Sequence, residues 1–105
     1  MTEMNQQQFE KHLMEADRPV LVEFGAPWCV YCRRLAPSLK RLAQRRQDLS
    51  VVHINIDREP ELAKRERIEV IPTLVLYERG ESLGSIVAPE SAARIEDFIL
   101  DVMGE

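Results

Sequence analysis

Residues Val20 to Pro37 constrain this chain more than any other stretch, because their hydrophobic period changes in mid-run and the only two cysteines sit at the change. Val20, Leu21, Val22 and Phe24 make a nearly continuous apolar run, the pattern of a strand covered on both faces. Gly25, Ala26 and Pro27 stop it. Leu35, Leu39 and Leu42 then recur at helical spacing with Ala36 and Ala43 alongside. This predicts a helix from Cys29 to about Gln47, kinked where Pro37 removes a backbone hydrogen bond. Cys29 and Cys32 therefore stand at a strand-to-helix junction, one helical turn apart.

The first turn of a helix offers unpaired N–H groups and the positive end of the macrodipole, and both favour a thiolate over a thiol. Cys29, next to the exposed turn, is the candidate nucleophile. Cys32 lies one turn further in and can close a small disulfide ring with it, while Arg33 and Arg34 add positive charge nearby. One thiol that attacks and one that resolves are the minimum equipment for disulfide exchange. The competing reading is a structural or metal-binding pair. Two sulfurs cannot complete a tetrahedral zinc site, and the sequence has no His-x-x-x-His or second Cys pair to finish one. Metal or cluster binding would need two chains sharing four cysteines.

The other elements alternate along the chain. Asn5 followed by Gln8 is a capping pattern for a short helix that carries Phe9 and Leu13 on one face and ends by Asp17. Val51 to Ile56 reads as a second buried strand, and Glu59 to Arg67 as a short helix, rich in charge and therefore exposed. Thr73 to Tyr77 is a third strand. Glu78-Arg79-Gly80-Glu81 is a hairpin turn in which Gly80 takes the unusual dihedral, and Ser82 to Val87 is the antiparallel partner. Ser91 can cap a last helix whose stripe is Ile95, Phe98, Ile99 and Val102. Strands joined through a helix should be parallel with right-handed crossovers. The expected class is α/β, with a central mixed sheet of four strands, or five, flanked by helices on both faces in a single domain spanning residues 1–105.

At Trp28-Cys29-Val30-Tyr31-Cys32 the chain resembles the thioredoxin family. Val22-Glu23-Phe24 before the site, Ala36-Pro37 in the helix, Asn55-Ile56-Asp57, Ile71-Pro72-Thr73 and Gly80-Glu81 follow in the family's order and spacing, from about Phe9 to Phe98. The resemblance implies the thioredoxin fold, which has one more strand before its first helix. Only four residues precede Asn5, so that strand is expected to be vestigial or absent. It also implies that Pro72 is held cis beside the cysteines, leaving the backbone of Ile71 free to pair with an extended peptide. Trp28 should lie at the active-site surface, in contact with partners. Val30 and Tyr31 stand where Gly-Pro is usual, Gly25 where a tryptophan is common, and Ala88 where a glycine lets partners approach. Glu23 interrupts an otherwise apolar strand, and a carboxylate is rarely buried without a reason. The family has an acid there, usually Asp, beneath the second cysteine as its proton acceptor. Glutamate reaches one methylene further. His53 stands where a lysine often accompanies that acid, and is the candidate relay partner.

Composition bounds the remaining possibilities. A chain of 105 residues, 45% hydrophobic and 30% charged, has an ordinary globular make-up, and a net charge of −4 argues against nucleic-acid binding. Residues 33–47 hold six bases and no acid, leaving eight bases against eighteen acids elsewhere. A solvated helix face is the simplest meaning; a docking site for an acidic partner is the alternative. The first eight residues lack the basic start, apolar core and cleavage site of a signal peptide, and no apolar run reaches membrane-spanning length. The expected compartment is the cytoplasm, without membrane association, where such a pair is kept largely reduced.

The activity these features imply is reduction of protein disulfides by dithiol exchange. A separate reductase must return the electrons, because no part of the sequence is suited to nicotinamide or flavin. Neither cofactor nor metal is expected, and a monomer is. An oxidase or isomerase would use the same residues in the opposite direction. A thioredoxin-fold binding module would carry the cysteine pair incidentally.

Overall fold

A computed structural model describes residues 1–104; Glu105, the last residue of the expected domain, lies outside the described residues. The elements run β1 (Thr2–Glu3), α1 (Gln6–Glu15), β2 (Val20–Gly25), α2 (Val30–Arg45), β3 (Ser50–Asn55), α3 (Pro60–Arg65), β4 (Thr73–Glu78), β5 (Glu81–Val87) and α4 (Ala92–Met103). The strands form one sheet in the order β1-β3-β2-β4-β5. β1, β3 and β2 are mutually parallel, β4 is antiparallel to β2, and β5 is antiparallel to β4.

Alternation along β2 explains the layering. Successive side chains leave a strand on opposite faces, and all six residues of β2 are buried. Leu21 packs with Leu35, Leu39 and Leu42 of α2 and with Ile95, Phe98 and Ile99 of α4. Val20, Val22 and Phe24 pack on the other side with Phe9 of α1 and Leu62 of α3. Each fully buried side chain of this size contributes roughly 1.5–3 kcal/mol, so two layers of helix are held by one central strand. Glu23 follows Leu21 on the α2 side, a carboxylate in an apolar layer.

The N-terminal strand is present in the vestigial form expected, two residues long, and makes the fifth strand of the sheet. Thr2 and Glu3 pair with Val52 and His53, and the Met4 N–H donates to the His53 carbonyl at 2.9 Å. Backbone pairing along the free edge of β3 makes this strand, with both of its residues exposed. Other elements differ from expectation: β2 runs one residue further, with Gly25 as its last residue, still in register with Asn55. Cys29 is the N-cap of α2 rather than its first residue, and the helix stops at Arg45. α3 is not simply exposed: Leu62 and Ala63 are buried under its charged face. In the hairpin, Arg79 shares the left-handed backbone with Gly80, at φ 54° and 82°. Two such residues in a two-residue loop match the twist of the flanking strands.

The basic run of α2 is partly spent within the molecule. Arg46 lies 2.8 Å from Glu96 and 2.8 Å from Asp48, and Arg45 lies 3.4 Å from Glu96. Among the described residues no helix is long and apolar enough to cross a membrane.

Candidate active site

Register brings the sequence-predicted residues to one end of the sheet. Phe24 at the end of β2 pairs with Thr73 at the start of β4, and Thr73 pairs with Val87 at the end of β5. The segments that follow or precede these residues, 26–29, 71–72 and 88, are therefore neighbours along that end. The Ala88 N–H donates to the Pro72 carbonyl at 2.8 Å, which ties the last two together. The Ile71–Pro72 peptide is cis, and Pro72 is buried.

Both cysteines are free thiols and almost equally enclosed, Cys29 at 7% exposure and Cys32 at 5%. Exposure does not distinguish the two sulfurs; hydrogen bonding and desolvation do. The Cys32 N–H, in the first turn of α2, donates to the Cys29 sulfur at 3.1 Å. A sulfur carrying negative charge is the stronger acceptor in such a contact. Cys32 is pushed up to about 12, first by burial, then by its contact with Cys29 and the charge of Glu23, and only partly offset by a hydrogen bond to Ala26.

Glu23 faces the same open position as the Cys32 sulfur. A side-chain carbon built on Gly25 would lie 2.8 Å from Glu23 Oε2 and 3.1 Å from Cys32 Sγ, so carboxylate and sulfur crowd the same point. A side chain here would make the Glu23 carboxylate shift. The other oxygen, Glu23 Oε1, lies 2.6 Å from Nδ1 of His53. His53 holds its proton more tightly than a free imidazole, chiefly through that hydrogen bond and despite its own burial. A cavity of about 240 Å³ opens beside this group, lined by Glu23, Cys32, His53, Ala36 and Lys40 among others.

The surface around the thiols is apolar. Trp28 is 63% exposed, and Val30, Tyr31, Val70 and Val87 are exposed with it. Trp28 is nevertheless fixed, because its indole N–H donates to Asp57 Oδ2 at 2.7 Å. Asp57 is a site residue to which the sequence reading gave no role; it belongs to a matching Asn-Ile-Asp stretch, and that was the available signal. Gly25 reads in sequence only as a strand stop and a departure from the family, since what matters there is the side chain of Cys32, brought in by α2. Among the described residues no three His, Cys, Asp or Glu side chains are grouped to hold a metal.

Comparison with known proteins gives one consistent result. The thioredoxin family profile matches residues 1–101. A thioredoxin of Streptomyces clavuligerus is 37% identical over 87 residues, 83% of this chain and 81% of that protein. A bifunctional thioredoxin reductase/thioredoxin of Mycobacterium leprae is 31% identical over 102 residues, 96% of this chain and 22% of that protein. Among solved structures, oxidized mitochondrial thioredoxin 3 of Saccharomyces cerevisiae superposes with a TM-score of 0.85 at 29% identity, covering 96% of this chain and 94% of that one.

Proposed function

Because the chain belongs to the thioredoxin family and is a thiol–disulfide oxidoreductase, we propose that it reduces protein disulfides through Cys29-Val30-Tyr31-Cys32. Cys29 attacks a substrate disulfide as the thiolate, forming a mixed disulfide and expelling one substrate thiolate. Cys32 gives its proton to Glu23 and attacks the Cys29 sulfur. The second substrate thiolate leaves, and Cys29 and Cys32 are joined. The observation that carries this reading is the two-oxygen placement of Glu23, one oxygen facing the open position at Gly25 that Cys32 Sγ also faces, and the other bonded to His53.

The roles of the remaining residues follow from their places. The exposed rim of Trp28, Val30 and Tyr31 is suited to an unfolded or extended apolar segment of the substrate. The backbone of Ile71, beside Pro72, pairs with that segment as an added strand. A separate reductase returns the two electrons, a partnership supported by the fused reductase of the Mycobacterium leprae relative. The protein acts as a single domain and a monomer in the cytoplasm, without a cofactor of its own. The expected result is that it accelerates insulin reduction by dithiothreitol and equilibrates with glutathione at a potential below about −230 mV. No acceleration would leave a binding module. A potential above about −180 mV would make it an isomerase or oxidase.

Ala88 is the residue of this rim with a cost attached. It is an alanine at φ 44°, where a side chain is strained. Ala88→Gly is expected to raise stability by about 0.5–1 kcal/mol in urea unfolding. Removing the methyl should also speed reduction of bulky protein disulfides and leave small disulfides unaffected. Equal effects on both substrates would show that this loop is not the gate.

A further inference from the structure

Three ionisable side chains run across one face of the sheet, at right angles to the strands. Register sets Glu3 of β1 against His53 of β3, and His53 against Glu23 of β2. The imidazole is thereby flanked on both sides. Its Nδ1 is 2.6 Å from Glu23 Oε1, and its Nε2 is 4.0 Å from Glu3 Oε1. Side-chain exposure rises steadily along the row, from 3% at Glu23 to 20% at His53 and 45% at Glu3. At the outer end, Glu3 Oε2 is held by Arg58 Nη1 at 3.1 Å. The row thus begins beside a buried thiol and ends in water.

We propose that this row is the outlet by which the proton of Cys32 leaves the buried site, and that Glu3 is a positioning residue that sets when His53 carries it. The inference rests on the reading of Glu23 as proton acceptor. In the resolving step the Cys32 S–H bond breaks and its proton passes to Glu23 Oε2. The sulfur electron pair forms the bond to Cys29, the bond between Cys29 and the substrate sulfur breaks, and the substrate leaves as a thiolate. Glu23, now neutral, no longer balances an imidazolium. His53 keeps Nδ1–H on Glu23 Oε1 and releases its Nε2 proton to solvent at the exposed end of the row, where Glu3 Oε1 lies 4.0 Å away. One proton enters the row at Cys32 and one leaves at its exposed end. The division of labour between the two oxygens of Glu23 means that the carboxylate need not rotate.

The charges that face His53 fix the direction of the test. Glu23 from β2 and Glu3 from β1 favour the imidazolium. Lys40 and Arg33 of α2, which line the same cavity, and Arg58 oppose it. The structure places Glu3 among the groups that hold the His53 proton on, after the Glu23 hydrogen bond and the Glu23 charge. Glu3→Gln should therefore lower the pH at which His53 titrates. Arg58→Gln, which frees Glu3 from its cation, should raise it.

The experiment follows the imidazole proton resonances of His53 by NMR across pH. In parallel, rapid mixing measures release of a preformed mixed disulfide in wild type, Glu3→Gln and Arg58→Gln. The expected result is an inflection in the release profile that moves down in Glu3→Gln and up in Arg58→Gln, in step with the resonance. A purely structural Glu3 would change stability and leave that inflection in place. His53 titrating at the wild-type pH in both variants overturns the proposal, as does a shifted His53 with superimposable release profiles. A Glu23→Leu variant that releases at the wild-type rate overturns the proton-acceptor reading itself, and the outlet with it.

Discussion

Cys32→Ser is expected to accumulate covalent adducts with disulfide substrates, whereas Cys29→Ser forms none and loses exchange to background. The asymmetry comes from the first turn of α2. Cys29 receives the Cys32 N–H at 3.1 Å, in a turn whose other N–H groups point the same way. Cys32 is instead the sulfur pushed up to about 12, with burial as the main cause. Only a thiolate attacks a disulfide, and the disfavoured ionisation of Cys32 is why the proposed mechanism gives the attack to Cys29. Without Cys32 no internal thiol is placed to expel the substrate, and the mixed disulfide persists until an external thiol reaches it. Non-reducing electrophoresis and intact mass would show the adduct directly, at the mass of chain plus substrate. Adducts with Cys29→Ser, and none with Cys32→Ser, would reverse the assignment.

The layered fold was legible because its signals are local. Val20 to Phe24 and Thr73 to Tyr77 announce two-sided burial by their own apolar runs, and all these residues are buried. Asn5-Gln8 and Ser91 announce helix starts, and each makes the cap its residue type suggests. What was not legible depends on partners far away in sequence. Thr2-Glu3 has no apolar pattern and becomes a strand only because β3 offers it an edge. Leu62 and Ala63 are two apolar residues in a charged segment, and their burial depends on β2 and β3 lying beneath α3. The site divides in the same way. The cysteines declare themselves by spacing, while the contact of Trp28 with Asp57 joins residues 29 positions apart. Gly25 could be read as a strand stop but not as the open position that both Glu23 and Cys32 face.

Replacing Glu23 with Leu is expected to stabilise the fold and to slow release of the mixed disulfide. Glu23 is buried among apolar side chains, and an ionised group there costs free energy unless it is well paired. Its hydrogen bond goes to His53, whose ring also faces Glu3 and solvent. Removing Glu23 therefore leaves the imidazole with a second carboxylate and water, and no buried charge is stranded. A leucine in its place can join Leu21 and Leu35 in the α2 layer. The net gain should be on the order of 1–3 kcal/mol. Its pH dependence has a definite sign. His53 is raised above 6.5 in the folded chain, chiefly by the Glu23 hydrogen bond. Such a group stabilises the fold fully below its unfolded value, and that contribution is lost as pH rises through the folded value. Wild type has this contribution on the acid side and the variant largely lacks it, so the gain from leucine should be smaller near pH ~6 than near pH ~9. The kinetic effect separates two roles for the carboxylate. The charge of Glu23 is one of the causes that hold Cys32 up, so its removal alone would ease ionisation of Cys32 and hasten release. Slower release in spite of that identifies Glu23 as the proton acceptor. Urea unfolding at the two pH values and rapid-mixing measurements of release would decide the matter: a variant that is less stable than wild type yet releases substrate normally would end the reading.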